Sequence, residues 1–167
     1  MNRFLFSSEH SEKEKYALIY LVPQSELLDK LIQRLKTEKG YKIVYVGSFL
    51  NRCDCDVNYT DVGPREFLGL IMDAEFIVAG SFHATVFSHI LQKNFAILPY
   101  RNNARMIQFL ELTNLSERYL QSENEMERIL CPVDYEIPMQ KLEEFRKQSA
   151  ERLLEALRNV EIKSDTV

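Results

Sequence analysis

The residues best suited to chemistry form one short segment, Ser81-Phe82-His83-Ala84. An apolar run, residues 75–79, precedes it, so we expect a strand that passes directly into a helix with Ser81 as its N-cap. The free N–H groups and the dipole of a helix start attract anions, and they favour a neutral imidazole that can exchange protons at His83. The segment therefore predicts an anion site at which His83 handles protons.

The same segment also permits a purely structural interpretation of its histidine. His83 shares a helical stripe with Val86, Phe87 and Ile90, which equally suits a hydrogen-bonded, partly buried side chain. His89 falls on the flank of the predicted helix, and we assign it a structural role.

Two arginines stand where they can complete such a site. Arg101 and Arg105 follow the next predicted strand, residues 94–98, and Arg105 falls in the first turns of the helix after it. A guanidinium pairs well with a phosphate or carboxylate, often through two hydrogen bonds. The alternative is that both arginines are solvated surface residues.

Other common chemistries have no support in the sequence. It contains no G-x-G-x-x-G, no G-x-x-x-x-G-K-[ST] and no G-x-S-x-G motif. Its three cysteines, Cys53, Cys55 and Cys131, are odd in number and lack a zinc-ligand spacing. We predict neither a bound metal nor a resident cofactor.

Composition narrows the class of protein further. The 167 residues include 21 Lys and Arg against 25 Asp and Glu, a net charge of −4, which argues against nucleic acid as a partner. No apolar stretch approaches the ~20 residues of a transmembrane helix. These features predict one globular domain of cytoplasmic location without a transmembrane segment.

The elements that must position these residues alternate regularly along the chain. We predict strands at residues 16–22, 41–46, 75–79 and 94–98, and helices that begin near Ser25, Pro64, Phe82 and Asn103. This alternation predicts an α/β fold, a doubly wound parallel sheet with strand order 2-1-3-4 and helices on both faces. Ligands of such sheets bind at the carboxyl ends of the strands, which selects Gly47-Ser48, Gly80 to His83 and residues 100–103.

The remaining segments are less regular. Residues 51–61 show neither the apolar periodicity of a helix nor that of a strand, so we predict a loop there. Residues 115–130 are predicted to form short helical turns. Residues 131–135 suit either a short fifth strand or a crossing segment. A long amphipathic helix runs from Pro138 to about Arg158. We divide the chain into a loosely held lead-in (1–15), an α/β domain (16–137) and a C-terminal helix with its tail (138–167).

Several segments together resemble the C-terminal half of the polysaccharide pyruvyl transferase family. They are GPREFLGLI (63–71), AEFIV (74–78) and SFHATVFS (81–88), followed by NARMI (103–107) and LELTNL (110–115). The resemblance implies one Rossmann-like lobe of a two-lobed, GT-B-like fold with the active cleft between the lobes. It also implies transfer of the enolpyruvyl group of phosphoenolpyruvate onto a glycan acceptor, a sugar of a cell-surface polysaccharide, as a ketal during exopolysaccharide biosynthesis.

The resemblance also assigns roles to individual residues. His83 becomes the catalytic proton donor or a phosphate contact, with Ser81, Phe82 and Ala84 around the donor. Arg105, in preference to Arg101, becomes the basic residue of the donor site. Members of the family often carry Arg two positions before the histidine, where this chain has Ser81, so we expect weaker binding of phosphoenolpyruvate.

The resemblance leaves the partner and the activity open. It implies an N-terminal lobe that the sequence does not contain, so the partner is either that missing lobe or a second copy of the chain. We expect the isolated chain to be inactive. The alternative functions are a non-catalytic domain that binds a glycan, an anion or a partner, and a glycosyltransferase lobe that binds a nucleotide sugar.

Overall fold

The computed structural model describes residues 14–47, 53–99 and 103–164, with side chains described as far as Arg158. Three parts of the chain named in the sequence analysis lie outside these ranges. They are most of the predicted lead-in, Ser48, and residues 100–102, which include Arg101. A five-stranded sheet forms the centre of the molecule, and all its strands are parallel. The strands are β1 (Tyr16–Tyr20), β2 (Lys42–Val46), β3 (Val57–Tyr59), β4 (Phe76–Ala79) and β5 (Asn94–Ile97).

The spatial order of the strands is β3-β2-β1-β4-β5. The helices are α1 (Glu26–Lys39), α2 (Pro64–Asp73), α3 (Phe82–Ile90), α4 (Ala104–Leu112), α5 (Met126–Leu130) and α6 (Glu136–Ser164). The α/β class, the doubly wound parallel sheet and the relative order of the four predicted strands are confirmed. The complete order is that of the Rossmann fold.

Helices cover both faces of the sheet and bury two separate cores. One core joins α1 and α5 to the first face, through residues that include Leu28, Leu31, Ile32, Met126 and Ile129. The other joins α2, α3 and α4 to the opposite face, through Leu70, Ile71, Ala84, Met106 and Leu110. Alternate residues of β1, β2, β4 and β5 serve the two cores, which explains why these four strands are nearly continuous apolar runs.

The residues predicted to begin and end α1 do so in the structure. Ser25 caps its start, because the Ser25 side chain accepts a hydrogen bond from Leu28 N at 3.2 Å. Gly40 ends it in the left-handed conformation with φ 67°. Pro64 is the first residue of α2, as expected for a residue without an N–H.

Two predictions about local structure need correction, and the structure decides between the two alternatives left open for residues 131–135. The predicted loop 51–61 contains β3. This strand has only three residues, too few to show an alternating pattern in the sequence. Residues 131–135 form no strand; this crossing segment is held where Val133 N donates to Asn94 Oδ1 at 2.9 Å. Asn103 precedes α4 but does not cap it, because Asn103 Nδ2 donates instead to Leu98 O at 2.8 Å.

The C-terminal helix α6 starts two residues earlier than predicted, at Glu136. Asp134 Oδ1 accepts a hydrogen bond from Glu136 N at 3.0 Å and so stabilises the new start. Leu142 is the last buried side chain of α6, and every described side chain after it, residues 143–158, is exposed. Within the ranges that the structure covers, no helix combines the length and the apolar character needed to cross a membrane.

Candidate anion site at the carboxyl edge of the sheet

The chain reverses its direction of winding between β1 and β4, which are neighbours in the sheet. From β1 it proceeds outward through β2 and β3, and it then returns to place β4 on the other side of β1. A reversal of this kind opens a crevice at the carboxyl ends of the two strands, where open α/β sheets bind their ligands. The segment from Gly80 to His83 leaves β4 at this point.

The two strands approach closely at the crevice. Gly80 N donates to Tyr20 O at 2.8 Å, and a Cβ atom on Gly80 would lie 2.2 Å from Leu21 O. Only glycine fits this approach. Leu21 itself has φ 54° and is exposed at the same edge.

Ser81 starts α3 as a true N-cap. Ser81 Oγ accepts a hydrogen bond from Ala84 N at 3.2 Å, and Ser81 O accepts from Thr85 N at 3.1 Å. The Ala84 N–H is therefore already used, and the Ala84 side chain is buried. Phe82 N and His83 N, the first two amides of the helix, have no partner among the described residues.

The side chains at this helix start face solvent. His83 is exposed, and so is Phe82 at 37%. The Phe82 ring meets the edge of the Phe109 ring with centroids 5.9 Å apart, and its centroid lies 6.4 Å from that of His83. The alternative interpretation of His83 as a partly buried structural residue is therefore wrong.

Arg105 lies on the neighbouring helix at the same edge of the sheet. It is exposed in the first turn of α4, four residues before Phe109. Residues four apart on a helix share a face, so Arg105 lies one turn from the contact between Phe109 and Phe82. The fold thus brings Ser81, Phe82, His83 and Ala84 to one helix start, with Arg105 on the adjoining helix.

The second histidine of α3 has a structural role, as predicted, but it lies in the core rather than on the flank of the helix. His89 is completely buried between the rings of Phe109 and Tyr135, with centroids 5.5 Å and 5.6 Å away. Neither of its ring nitrogens has a hydrogen bond of normal geometry to any residue within the described ranges. Burial lowers the pKa of the His89 imidazole, and the backbone of Pro138 opposes this shift only in part.

The buried face of α3 consists of three small residues and His89, whereas Val86 and Phe87 of the predicted apolar stripe are only half-buried. Its buried residues are Ala84, Thr85, Ser88 and His89, whereas Ile90 is exposed. Small residues at this spacing let the helix lie close to the sheet. That spacing is the sequence signal that could have predicted the burial of His89.

Comparison with known proteins adds one finding. A sequence model of the polysaccharide pyruvyl transferase family matches residues 2–102, more than half of the chain. The chain belongs to this family. No curated protein and no solved structure matches it.

The pyruvyl transferase match covers all five strands and the whole of α3, including Ser81, Phe82, His83 and Ala84. It also includes Arg101 and ends before Arg105. The matched range therefore includes both strands that border the crevice, β1 and β4, whereas α4 and α6 lie beyond it. Among the described residues of this family member, no three His, Cys, Asp or Glu side chains group together as metal ligands would.

Proposed function

We propose that the chain is the C-terminal lobe of a pyruvyl transferase and that it binds phosphoenolpyruvate at the start of α3. Family membership supports the class of reaction. The observation that carries the location is the pair of N–H groups of Phe82 and His83 at the crevice of the sheet, which have no partner in the part of the chain that the structure describes. These amides and the helix dipole attract a phosphate group at the point where the family's histidine stands.

The reaction requires both anion binding and proton transfer. Two sugar hydroxyl oxygens form bonds to the enol carbon of phosphoenolpyruvate, and the bond between that carbon and the phosphate oxygen breaks. One hydroxyl proton ends on the methylene carbon, which becomes a methyl group, and the other leaves with the phosphate. His83 is exposed and adjacent to the free amides, so it suits the transfer of a proton to the donor.

Charge at the site comes from Arg105 rather than from position 81. Ser81 Oγ is engaged with Ala84 N, so it serves the helix and cannot replace the arginine that many family members carry there. Loss of one charge-assisted contact weakens binding by about ten- to a hundredfold. We therefore propose weak binding of phosphoenolpyruvate, with Arg105 as the principal cation of the site.

The acceptor requires a second lobe. We propose that a glycan, a sugar of a cell-surface polysaccharide, enters a cleft between this lobe and an N-terminal one, in a GT-B-like arrangement. The isolated chain then binds the donor without turnover. Binding of the anion with no transfer even in the presence of both lobes would instead favour the non-catalytic alternative.

Titration calorimetry with phosphoenolpyruvate tests the donor site. We expect Arg105→Ala to weaken binding about tenfold or more, because a charge-assisted contact is lost. Arg65→Ala is the matched control, since Arg65 is also exposed in the first turn of a helix, α2. His83→Gln keeps a hydrogen-bonding side chain and should weaken binding less than it weakens transfer by the assembled enzyme. Equal losses in the two arginine variants would contradict the proposal.

A further inference from the structure

The exposed part of α6 carries an apolar stripe. We call residues 143–158 the arm. At about 100° per residue, Phe145, Leu153 and Leu157 lie within about 60° of the direction of Leu142. They are 42%, 61% and 55% exposed, whereas Leu142 is buried. The arm therefore continues, into solvent, the same face that the base of α6 packs against the domain.

An arm of this kind needs a partner surface. An isolated helix of about 16 residues is marginal in water, and its stability normally comes from packing of its apolar face. The three stripe residues together expose on the order of 300 Å² per copy. Patches of that size on soluble proteins mark interaction sites.

A second copy of the same arm fits this surface in area and in charge. Two stripes contribute on the order of 600 Å². Burial of the methylene groups of the flanking charged side chains adds to this area, toward the ~1,200 Å² at the low end of specific interfaces. The arm has four acidic residues (Glu143, Glu144, Glu151, Glu155) and four basic ones (Arg146, Lys147, Arg152, Arg158). Although the chain carries a net charge of −4, two arms therefore meet without net repulsion.

The structure also favours one orientation. At the base of α6, the helix face that carries the stripe already packs against the molecule's own domain, because Leu142 is buried there. A parallel pair would bring the two bases face to face, and the two domains would occupy the same space. An antiparallel pair places each tip beside the other arm and keeps the domains at opposite ends.

We propose that the arm is a dimerisation element that pairs, antiparallel, with the arm of a second copy of this chain. The interface is two-fold symmetric, with Leu153 and Ser149 near its centre and Phe145 and Leu157 toward its ends. It is independent of the crevice between β1 and β4.

Sedimentation of the full chain over a range of concentrations tests the dimer. The wild type should show a monomer–dimer equilibrium, and Leu153→Glu should raise its dissociation constant by about tenfold or more. Leu154→Glu is the matched control, because Leu154 is similarly exposed but lies about 100° away around the helix. Both variants should keep the circular dichroism of the domain. A wild type that stays monomeric at every concentration, or equal effects of the two variants, would overturn the proposal.

Disulfide cross-linking tests the orientation, with the exposed Cys131 replaced by serine. In an antiparallel pair centred near residue 151, Ser149 of one copy lies opposite Leu153 of the other. A mixture of Ser149→Cys and Leu153→Cys chains should therefore cross-link more efficiently than either variant alone, whereas Glu151→Cys on the opposite face should not cross-link. Arg146→Cys lies on the stripe side, but in an antiparallel pair its two copies are roughly 13 Å or more apart along the axis. A disulfide needs Cα atoms within about 7 Å, so efficient linkage through Arg146→Cys would show a parallel pair and contradict the orientation.

Discussion

The two histidines of α3 stand six residues apart and have opposite surroundings. His83, at the start of the helix, is exposed beside two backbone N–H groups that have no partner among the described residues. His89, near the end, is completely buried between two aromatic rings, and its nitrogens make no hydrogen bond of normal geometry to the described residues. The same residue type is thus exposed at one end of the helix, where we propose that it meets the donor, and packed in the core at the other.

This contrast follows from where the helix meets the sheet. The start of α3 leaves the carboxyl edge of β4, where the Phe82 and His83 side chains are exposed. Its later turns lie under α4 and the segment that leads into α6, through Phe109 and Tyr135. On the proposed function, substitutions at the two ends of α3 should therefore separate ligand binding from stability.

Alanine substitution of each histidine should give the largest effect. We expect His89→Ala to lower the free energy of unfolding by about 2–4 kcal/mol, because it leaves a cavity between two rings. His83→Ala should change it by less than about 0.5 kcal/mol, as is usual for an exposed residue. Urea denaturation measures both values. Similar losses in the two variants would contradict the difference between the two ends of α3.

The close approach of β1 and β4 beneath the start of α3 should give the next largest effect. Gly80→Ala places a methyl group against Leu21 O and should cost about 1–3 kcal/mol. Gly69→Ala is the control, because a Cβ there meets nothing within 4 Å and α2 should gain roughly 0.5–1 kcal/mol. Thermal denaturation compares the two variants. A Gly80→Ala variant as stable as the wild type would show that the crevice is not fixed by this contact.

The buried end of α3 should also make stability depend on pH. Because the pKa of His89 is lowered in the folded chain, the unfolded chain takes up a proton first as the pH falls below about 6.5. The free energy of unfolding should then fall, by at most about 1.4 kcal/mol per pH unit.

Urea midpoints between pH 5 and pH 7.5 measure this dependence, and His89→Leu should flatten it. The carboxylates of Glu38 and Glu125 do not interfere. Their pKa values are lowered by Arg34 and by the Gln121 backbone N–H, so they lose stabilising contacts only below about pH 4.5. An equally steep dependence in His89→Leu would assign the effect to another group.

The cap at the exposed end should give the smallest effect on stability. Ser81→Ala removes the acceptor for Ala84 N and should cost about 1 kcal/mol, whereas Ser81→Thr should keep most of the cap. Ser81→Arg should lose the cap as well, but it should bind phosphoenolpyruvate about ten- to a hundredfold more tightly. Thermal denaturation and calorimetry on the same samples separate the two effects. A Ser81→Arg variant that binds no better would remove position 81 from the donor site.

The sequence was sufficient to predict the parts of the fold that local rules govern. Apolar runs marked β1, β2, β4 and β5, and the Ser25 and Ser81 caps marked the starts of α1 and α3. The alternation of strands and helices then led to the parallel order, because crossover connections leave few alternatives. The helix start at the crevice follows from the same reasoning.

The features that depend on tertiary packing could not be predicted in the same way. β3 is too short to show a period, and it exists because it pairs with β2. Arginine usually lies at the surface of a protein. Arg118, however, is buried, and its guanidinium donates hydrogen bonds to Phe95 O at 2.9 Å and to Ile129 O. His89 is buried because small residues bring α3 close to the sheet, which a search for apolar stripes does not detect.

An NMR titration with phosphoenolpyruvate tests the central claim most directly, because it locates the ligand on the chain. The amide signals of Phe82 and His83 should shift most, with smaller shifts in the first turn of α4, and His83→Ala should reduce them. Shifts centred on the start of α2 would contradict the claim. So would shifts in the cavity of about 350 Å³ that Tyr16, Val44 and Asp73 line near the opposite edge of the sheet.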